Sequence, residues 1–253
     1  MALLRKIFPA SVVYTIEGFM PSIRIHRNKM KMHYRDFVRS QDLVFDIGAN
    51  LGDRSKIFRA LGGRVVAVEP TSYCVGYLKS LFNHDPAVVV VPKAVGQSIG
   101  QGEIHVNEQL PVLSTMSSKW INDSRFSQQT HWEKTEIISI TTIDALIAEF
   151  GTPSFCKIDV EGFELQVLSG LSQPLPMLSF EFMYEFLDDA VACMDKILNQ
   201  YNAKFNYNVG EEMDLVLAEW VSKERLLELL RDHKNPALWG DIYAKYEPLL
   251  GKK

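Results

Sequence analysis

Leu43-Val44-Phe45-Asp46-Ile47-Gly48-Ala49-Asn50-Leu51-Gly52-Asp53 carries the reading of the fold. The first five residues form a short apolar run with one acid, as a strand buried on both faces does. Gly48 and Gly52 allow a tight turn and close approach of a ligand to the backbone, and Asn50 tolerates a left-handed conformation. Asp53 to Leu61 then has helix-forming residues and stops at Gly62-Gly63. Strand, glycine loop and helix in that order make the first unit of an open α/β sheet, whose ligands bind beyond the carboxyl ends of the strands.

The alternation continues on the C-terminal side. Arg64 to Val68 reads as a strand ending at Glu69-Pro70, Thr71 to Phe82 as a helix, and Ala87 to Val91 as a third strand. Residues from about 97 to 137 are polar and break the rhythm, which predicts a hairpin or loop insertion. Thr141 to Phe150 is a helix, Phe155 to Val160 a fourth strand, Phe163 to Leu171 a helix, Met177 to Phe182 a fifth strand and Asp188 to Tyr201 a helix. Lys204 to Tyr207 with Leu215 to Leu217 could form a closing antiparallel pair. Ser222 caps a last helix reaching Asp232. The fold class is therefore α/β: a Rossmann-like, doubly wound, mostly parallel sheet with an antiparallel closing strand. Residues 1–40 read as a basic N-terminal extension and 41–253 as one domain.

Composition bounds the function. The chain has 253 residues, 47% hydrophobic and 23% charged, so it can bury a sizeable core. Cys74, Cys156 and Cys193 form no CxxC pair, which speaks against a zinc site or disulfide framework and fits a reducing, cytoplasmic setting. No apolar run approaches the roughly 18 residues that cross a bilayer, and Met1 to Tyr14 do not read as a signal peptide. Eight Lys/Arg against Glu17 and Asp36 make residues 1–40 net +6, and the remainder net −10. The basic segment (Arg24, Arg27 and Lys29 among it) could face an anionic acceptor or form a solvated face. The acidic body argues against nucleic acid as partner. A homo-oligomer stays open.

The glycine loop narrows the cofactor. A dinucleotide fingerprint is GxGxxG; here Asn50 and Asp53 stand at its second and third glycine positions. A carboxylate at the helix start repels a pyrophosphate, whereas S-adenosylmethionine has no phosphate. Asp46 could hold the ammonium group of that molecule, or with Asp53 merely cap the loop and helix. Glu69 lies 23 positions after Asp46, the spacing of an acid that binds ribose hydroxyls.

Cys156-Lys157-Ile158-Asp159-Val160-Glu161-Gly162-Phe163-Glu164 places three ionisable residues alternately at a strand end, and Glu181 repeats the problem on the next strand. Charges there cost desolvation unless paired, so a polar active-site floor is expected. Methyl transfer to a hydroxyl needs a place for the proton, and Asp159 is the best candidate base, with a Lys157–Asp159 structural pair as the competing reading. Divalent-metal binding is a further use of such acids, though no ligand spacing argues for it. His131 in the insertion could supply a second base, or stand in solvent. Ser114, Thr115, Met116 and Trp120 read as part of a lid. Trp239, Tyr243 and Tyr246 fall at helical spacings and read as core packing, as does Cys156.

Taken in order, VFDIGANLGDRS (44–55), VVAVEP (65–70), KAVG (93–96), TTIDAL (141–146), FCKIDVEGFELQVLSGL (155–171) and WGDIYA (239–244) resemble the FkbM family of methyltransferases. The resemblance covers residues 42–245. It implies a class I methyltransferase fold, S-adenosylmethionine as methyl donor, and O-methylation of a small-molecule or glycan acceptor such as a sugar or polyketide hydroxyl. It implies a cofactor loop of Asp46, Gly48, Ala49, Asn50 and Gly52, ribose binding by Glu69, adenine lining by Ala94 and Val95, and Asp159 and Glu161 at the reaction centre. The family often has His two places after the fifth-strand Glu; here Met183 follows Glu181. An N-methyltransferase, an NAD-dependent oxidoreductase and a non-catalytic nucleoside-binding protein are the competing functions.

Overall fold

The computed structural model describes residues 20–107, 110, 113–128, 130–132 and 134–248. Arg5, Lys6 and the rest of Met1 to Tyr14 lie outside them. Seven strands form the main sheet: β1 (Leu43–Ile47), β2 (Arg64–Val68), β3 (Val88–Val91), β7 (Phe155–Ile158), β8 (Met177–Met183), β9 (Ala203–Tyr207) and β10 (Trp239–Tyr246). Their order is β3-β2-β1-β7-β8-β10-β9. All neighbours from β3 to β8 run parallel, and β10 is antiparallel to both β8 and β9. One reversed strand near the edge of a doubly wound sheet is the class I methyltransferase topology. The order reverses between β1 and β7, and that switch point opens the crevice in which such folds bind ligands.

Every residue of β1 and β7 is buried, as expected of parallel strands covered on both faces. On one face Phe45, Ile158 and Phe180 pack against α5 (Ile143–Phe150), α6 (Glu164–Ser169), α7 (Leu187–Leu198) and α8 (Lys223–Arg231). Thr142 and Ser222 cap α5 and α8 through hydrogen bonds from Ala145 N and Arg225 N. On the other face Val44, Phe155 and Tyr243 meet α1 (Pro21–Tyr34), α2 (Asp53–Ala60) and α3 (Ser72–Leu81).

Two sequence expectations change. Trp239, Tyr243 and Tyr246 lie on strand β10, not a helix, and β10 rather than Leu215–Leu217 pairs with β9. The chain after β9 forms no strand there but is tied to the outer edge of β9 by Val216 N donating to the Tyr207 carbonyl, an antiparallel bridge between Phe205 and Val221, and the Asn206 side chain, which bonds Leu217 N and O. Part of the segment before residue 41 packs into the core. Met30 and Tyr34 of α1 are core residues, and Tyr34 meets Phe58 edge-on at 4.8 Å while Phe37 stacks on Phe155 at 5.7 Å. Aromatic pairs of this kind add about 0.5–1.5 kcal/mol each beyond area burial.

The insertion builds a second sheet, ordered β4 (Ala94–Val95), β6 (Lys134–Thr141), β5 (Gly100–Val106). β5 and β6 pair antiparallel. The stretch between them carries α4 (Ser118–Asp123), capped by Ser117, across the carboxyl ends of β7 and β8.

Candidate active site

The loop after β1 is left-handed at Gly48 (φ 80°), Asn50 (φ 48°) and Gly52 (φ 76°). A Cβ on Gly48 would stand 1.7 Å from the carbonyl oxygen of Asp159. Only glycine therefore lets this loop cross the end of β7. Gly48 and Ala49 donate to the Val68 carbonyl and so fix the loop to β2. Asp46 is buried and accepts a 2.5 Å hydrogen bond from Ser55 Oγ; burial raises its pKa.

Glu69 is likewise buried. Its Oε1 accepts from Thr71 N and Oγ1 at 2.9 and 2.6 Å, and its Oε2 from Asn50 N at 3.0 Å. Burial pushes its pKa up against these bonds. Two donors fill Oε1, whereas Oε2 keeps a lone pair for a further donor. Asp46, the 48–51 loop, Glu69, Ala94 and Val95 line one cavity of about 370 Å³. This size and mixed lining suit an organic ligand. The fixed glycine crossing and the spare acceptor on Glu69 fit an adenosine-type group without a pyrophosphate, because Asp53 occupies the first turn of α2.

Asp159, Glu161 and Glu181 line the same cavity, and one carboxylate oxygen of each lies within 4.8 Å of the others. Asp159 is the ion-paired member. Its Oδ2 lies 3.1 Å from Arg54 Nη1 and 3.3 Å from Lys157 Nζ. Burial would raise its pKa, but Lys157 and Arg54 outweigh burial and lower it. Lys157 is fully buried and also meets Asp241 Oδ1 at 2.8 Å. From there Tyr243 Oη and His33 Nε2, 2.8 Å apart, extend the polar chain to α1.

Glu161 and Glu181 differ. Burial, and then repulsion from Asp159 and Glu164 for Glu161 and from Glu161, Asp159 and Glu164 for Glu181, holds both well above the usual carboxylate range. Glu161 sits in the left-handed region (φ 54°) before Gly162 (φ 86°). That conformation costs a non-glycine residue about 1–2 kcal/mol, and a 2.6 Å bond from Thr115 Oγ1 to the Glu161 carbonyl helps hold it. Glu164 Oε1 accepts from Val160 N and Gly162 N and shapes the same turn. Burial lifts its pKa to about 7.

The expected site residues line this cavity except two, Gly52 and His131. His131 is exposed and lies outside the cavity lining. The adjacent Trp132 turns inward to donate to the Leu113 carbonyl at 2.7 Å, which sends His131 outward. Asp159, expected as base, is the carboxylate least disposed to take a proton, because two cations face it. Ser114, Thr115, Met116 and Trp120 reach the cavity, as does Met183 at the place of the missing imidazole. Among the described residues, none of the basic side chains between Arg24 and Arg39 lines it, which removes the support that segment gave for an anionic acceptor.

Arg54, Asp241 and Arg125 carry no signal in the sequence, and Trp239, expected as core packing, lines the cavity. Arg125 is held bidentate by Glu185 and donates to the Ala237 carbonyl at 2.9 Å. The three carboxyls suit a hard divalent cation in donor type, but Asp159 is already committed to two cations, which leaves Glu161 and Glu181 as donors.

Residues 46–205 match the model of the methyltransferase FkbM domain. Hexuronic acid methyltransferase AglP from Haloferax volcanii is 30% identical over 144 residues, covering 55% of this chain and 54% of that protein. The matched stretch thus spans about half the length of that relative. Among solved structures, precorrin-6y C5,15-methyltransferase from Geobacter metallireducens aligns with a TM-score of 0.44 and 12% identity, covering 87% of each chain. A TehB-like SAM-dependent methyltransferase from Corynebacterium glutamicum aligns with a TM-score of 0.44 and 8% identity, covering 86% of this chain and 87% of that one.

Proposed function

Because this chain belongs to the methyltransferase FkbM domain family, we propose that it methylates a hydroxyl of a sugar, glycan or secondary metabolite, with S-adenosylmethionine as donor. The bound donor supplies an electrophilic methyl group on a sulfonium. Glu69 receives the ribose diol through the spare lone pair on Oε2. Asp46 and the backbone of Gly48 to Leu51 seat the amino-acid end, and Ala94 and Val95 flank the adenine.

The observation that carries the reading is the Glu161–Glu181 pair in the lining of the same cavity. Two buried carboxyls this close cannot both ionise cheaply, so one of them holds a proton. One carboxyl then donates a hydrogen bond to the acceptor, and the other takes the hydroxyl proton on an Oε atom as the C–O bond forms and the methyl C–S bond breaks, the demethylated thioether leaving. Asp159, fixed by Arg54 and Lys157, stays ionised and keeps the proton affinity of the pair high. The printed name of the Haloferax relative supports a sugar acceptor.

The test is transfer of labelled methyl to a panel of hydroxylated and amino acceptors, with the product linkage read by NMR. Methyl on oxygen is expected. Glu181→Gln should lower kcat by about 10²–10⁴, the usual contribution of a general base, while S-adenosylmethionine affinity stays within twofold. Methyl on nitrogen, or full activity in Glu181→Gln, would overturn the reading. Loss of activity on chelation, restored by Mg²⁺, would assign the carboxyls to a metal ion instead.

A further inference from the structure

A second cavity, about 260 Å³, lies between α4, the turn after β7, and α7. Its walls include Met116, Trp120, Phe163, Glu181 and Met183, and each of these also lines the larger cavity. The two spaces therefore meet at Glu181, where the reacting hydroxyl is placed above. A space this small is an annex to a ligand site rather than a site for a whole ligand.

Its chemistry is specific. Phe163, Phe182 and Phe186 offer apolar surface, with Ser118 and Gln166 as hydrogen-bonding groups. Lys119 binds Asp189 at 2.6 Å and covers the Phe186 ring at 4.9 Å, so its charge is neutralised. Glu164 and Glu181 are the other carboxyl groups of the described lining. Trp120 is only 3% exposed and lines both spaces, and among the described residues its Nε1–H has no acceptor.

We propose that the second cavity receives the group next to the methylated ring of the acceptor, and that this group is neutral: a glycosyl or aryl substituent. The surfaces fit a ring with apolar faces and hydroxyls or ether oxygens at its rim. An acidic substituent would meet Glu164 and Glu181 with Lys119 already engaged. This inference rests on the sugar-acceptor reading above.

The experiment compares methyl, p-nitrophenyl and p-carboxyphenyl glycosides of glucose and glucuronic acid as acceptors, in wild type, Ala190→Leu and Ser118→Tyr. Ala190 lines the inner wall and Ser118 the α4 side, so either substitution fills the annex independently. In wild type, kcat/KM for p-nitrophenyl glycosides should exceed that for methyl glycosides at least tenfold and that for p-carboxyphenyl glycosides by a similar factor. In both variants the p-nitrophenyl advantage should fall to within twofold, while methyl-glycoside turnover and S-adenosylmethionine affinity hold. Turnover of all glycosides alike in wild type, or an advantage that survives both substitutions, would refute the annex alone. Donor binding without binding or turnover of any glycoside would refute the sugar reading, and this inference with it.

Discussion

Lys157→Met removes the cation on which two buried acids depend. Lys157 is fully buried, with Nζ 2.8 Å from Asp241 and 3.3 Å from Asp159. Asp159 keeps Arg54, but Asp241, 5% exposed, loses its ammonium partner. Breaking a buried pair from one side costs about 3–5 kcal/mol, a large part of a total stability of about 5–15 kcal/mol. At about 2–4 °C per kcal/mol for a chain of this size, Tm should fall by roughly 10 °C. Urea and thermal unfolding followed by circular dichroism measure the loss. The double variant Lys157→Met/Asp241→Leu should recover more than half of it, because removing both charges leaves no orphan. The pH dependence has a defined sign. Lys157 and Arg54 lower the Asp159 pKa in the fold, so the pairing stabilises above the unfolded value of 3.8 and is lost as pH falls through the folded value. The deficit of the single variant should accordingly shrink below about pH 4. A deficit under 1 kcal/mol at pH 7, or a double variant no more stable than the single one, would refute this account of the network.

Gly48→Ala combines a positive φ with a Cβ 1.7 Å from a backbone oxygen. The left-handed conformation alone costs about 1–2 kcal/mol, and the clash must displace the loop. S-adenosylmethionine affinity should drop at least tenfold in calorimetry, and unchanged affinity would remove the loop from the cofactor site. Glu164 has its pKa raised to about 7 by burial, so the fold favours its acid form. Its contribution is full below about pH 4.5 and falls by up to roughly 3 kcal/mol as pH rises through 7. Glu164→Gln should flatten that part of the stability profile, and profiles that stay parallel from pH 5 to 8 would count against the burial argument.

The parallel strands were legible because β1, β2, β7 and β8 are covered on both faces and read as apolar runs. The closing strand was not, since β10 is buried almost throughout. Without alternation, the spacing of Trp239, Tyr243 and Tyr246 imitated a helix. In α1, basic residues masked the buried stripe of Met30, His33 and Tyr34, a helical i, i+3, i+4 pattern. The carboxyls of the site were visible as acids placed just after strands. Their division of roles was not, because it depends on which cations arrive from elsewhere. Arg54 comes from α2, and Lys157 is shared with Asp241 from β10. Local sequence carries no signal of either meeting, nor of the turn that sends His131 outward.

Parallel calorimetric titration with S-adenosylmethionine, its demethylated product and NAD tests the central assignment most directly. The glycine crossing, the spare acceptor on Glu69 and the Asp53 carboxylate at the start of α2 are the basis for proposing a nucleoside ligand without a pyrophosphate. Binding of the first two ligands and not of NAD is the expected result. Binding of NAD with no response to S-adenosylmethionine would contradict the assignment at its root.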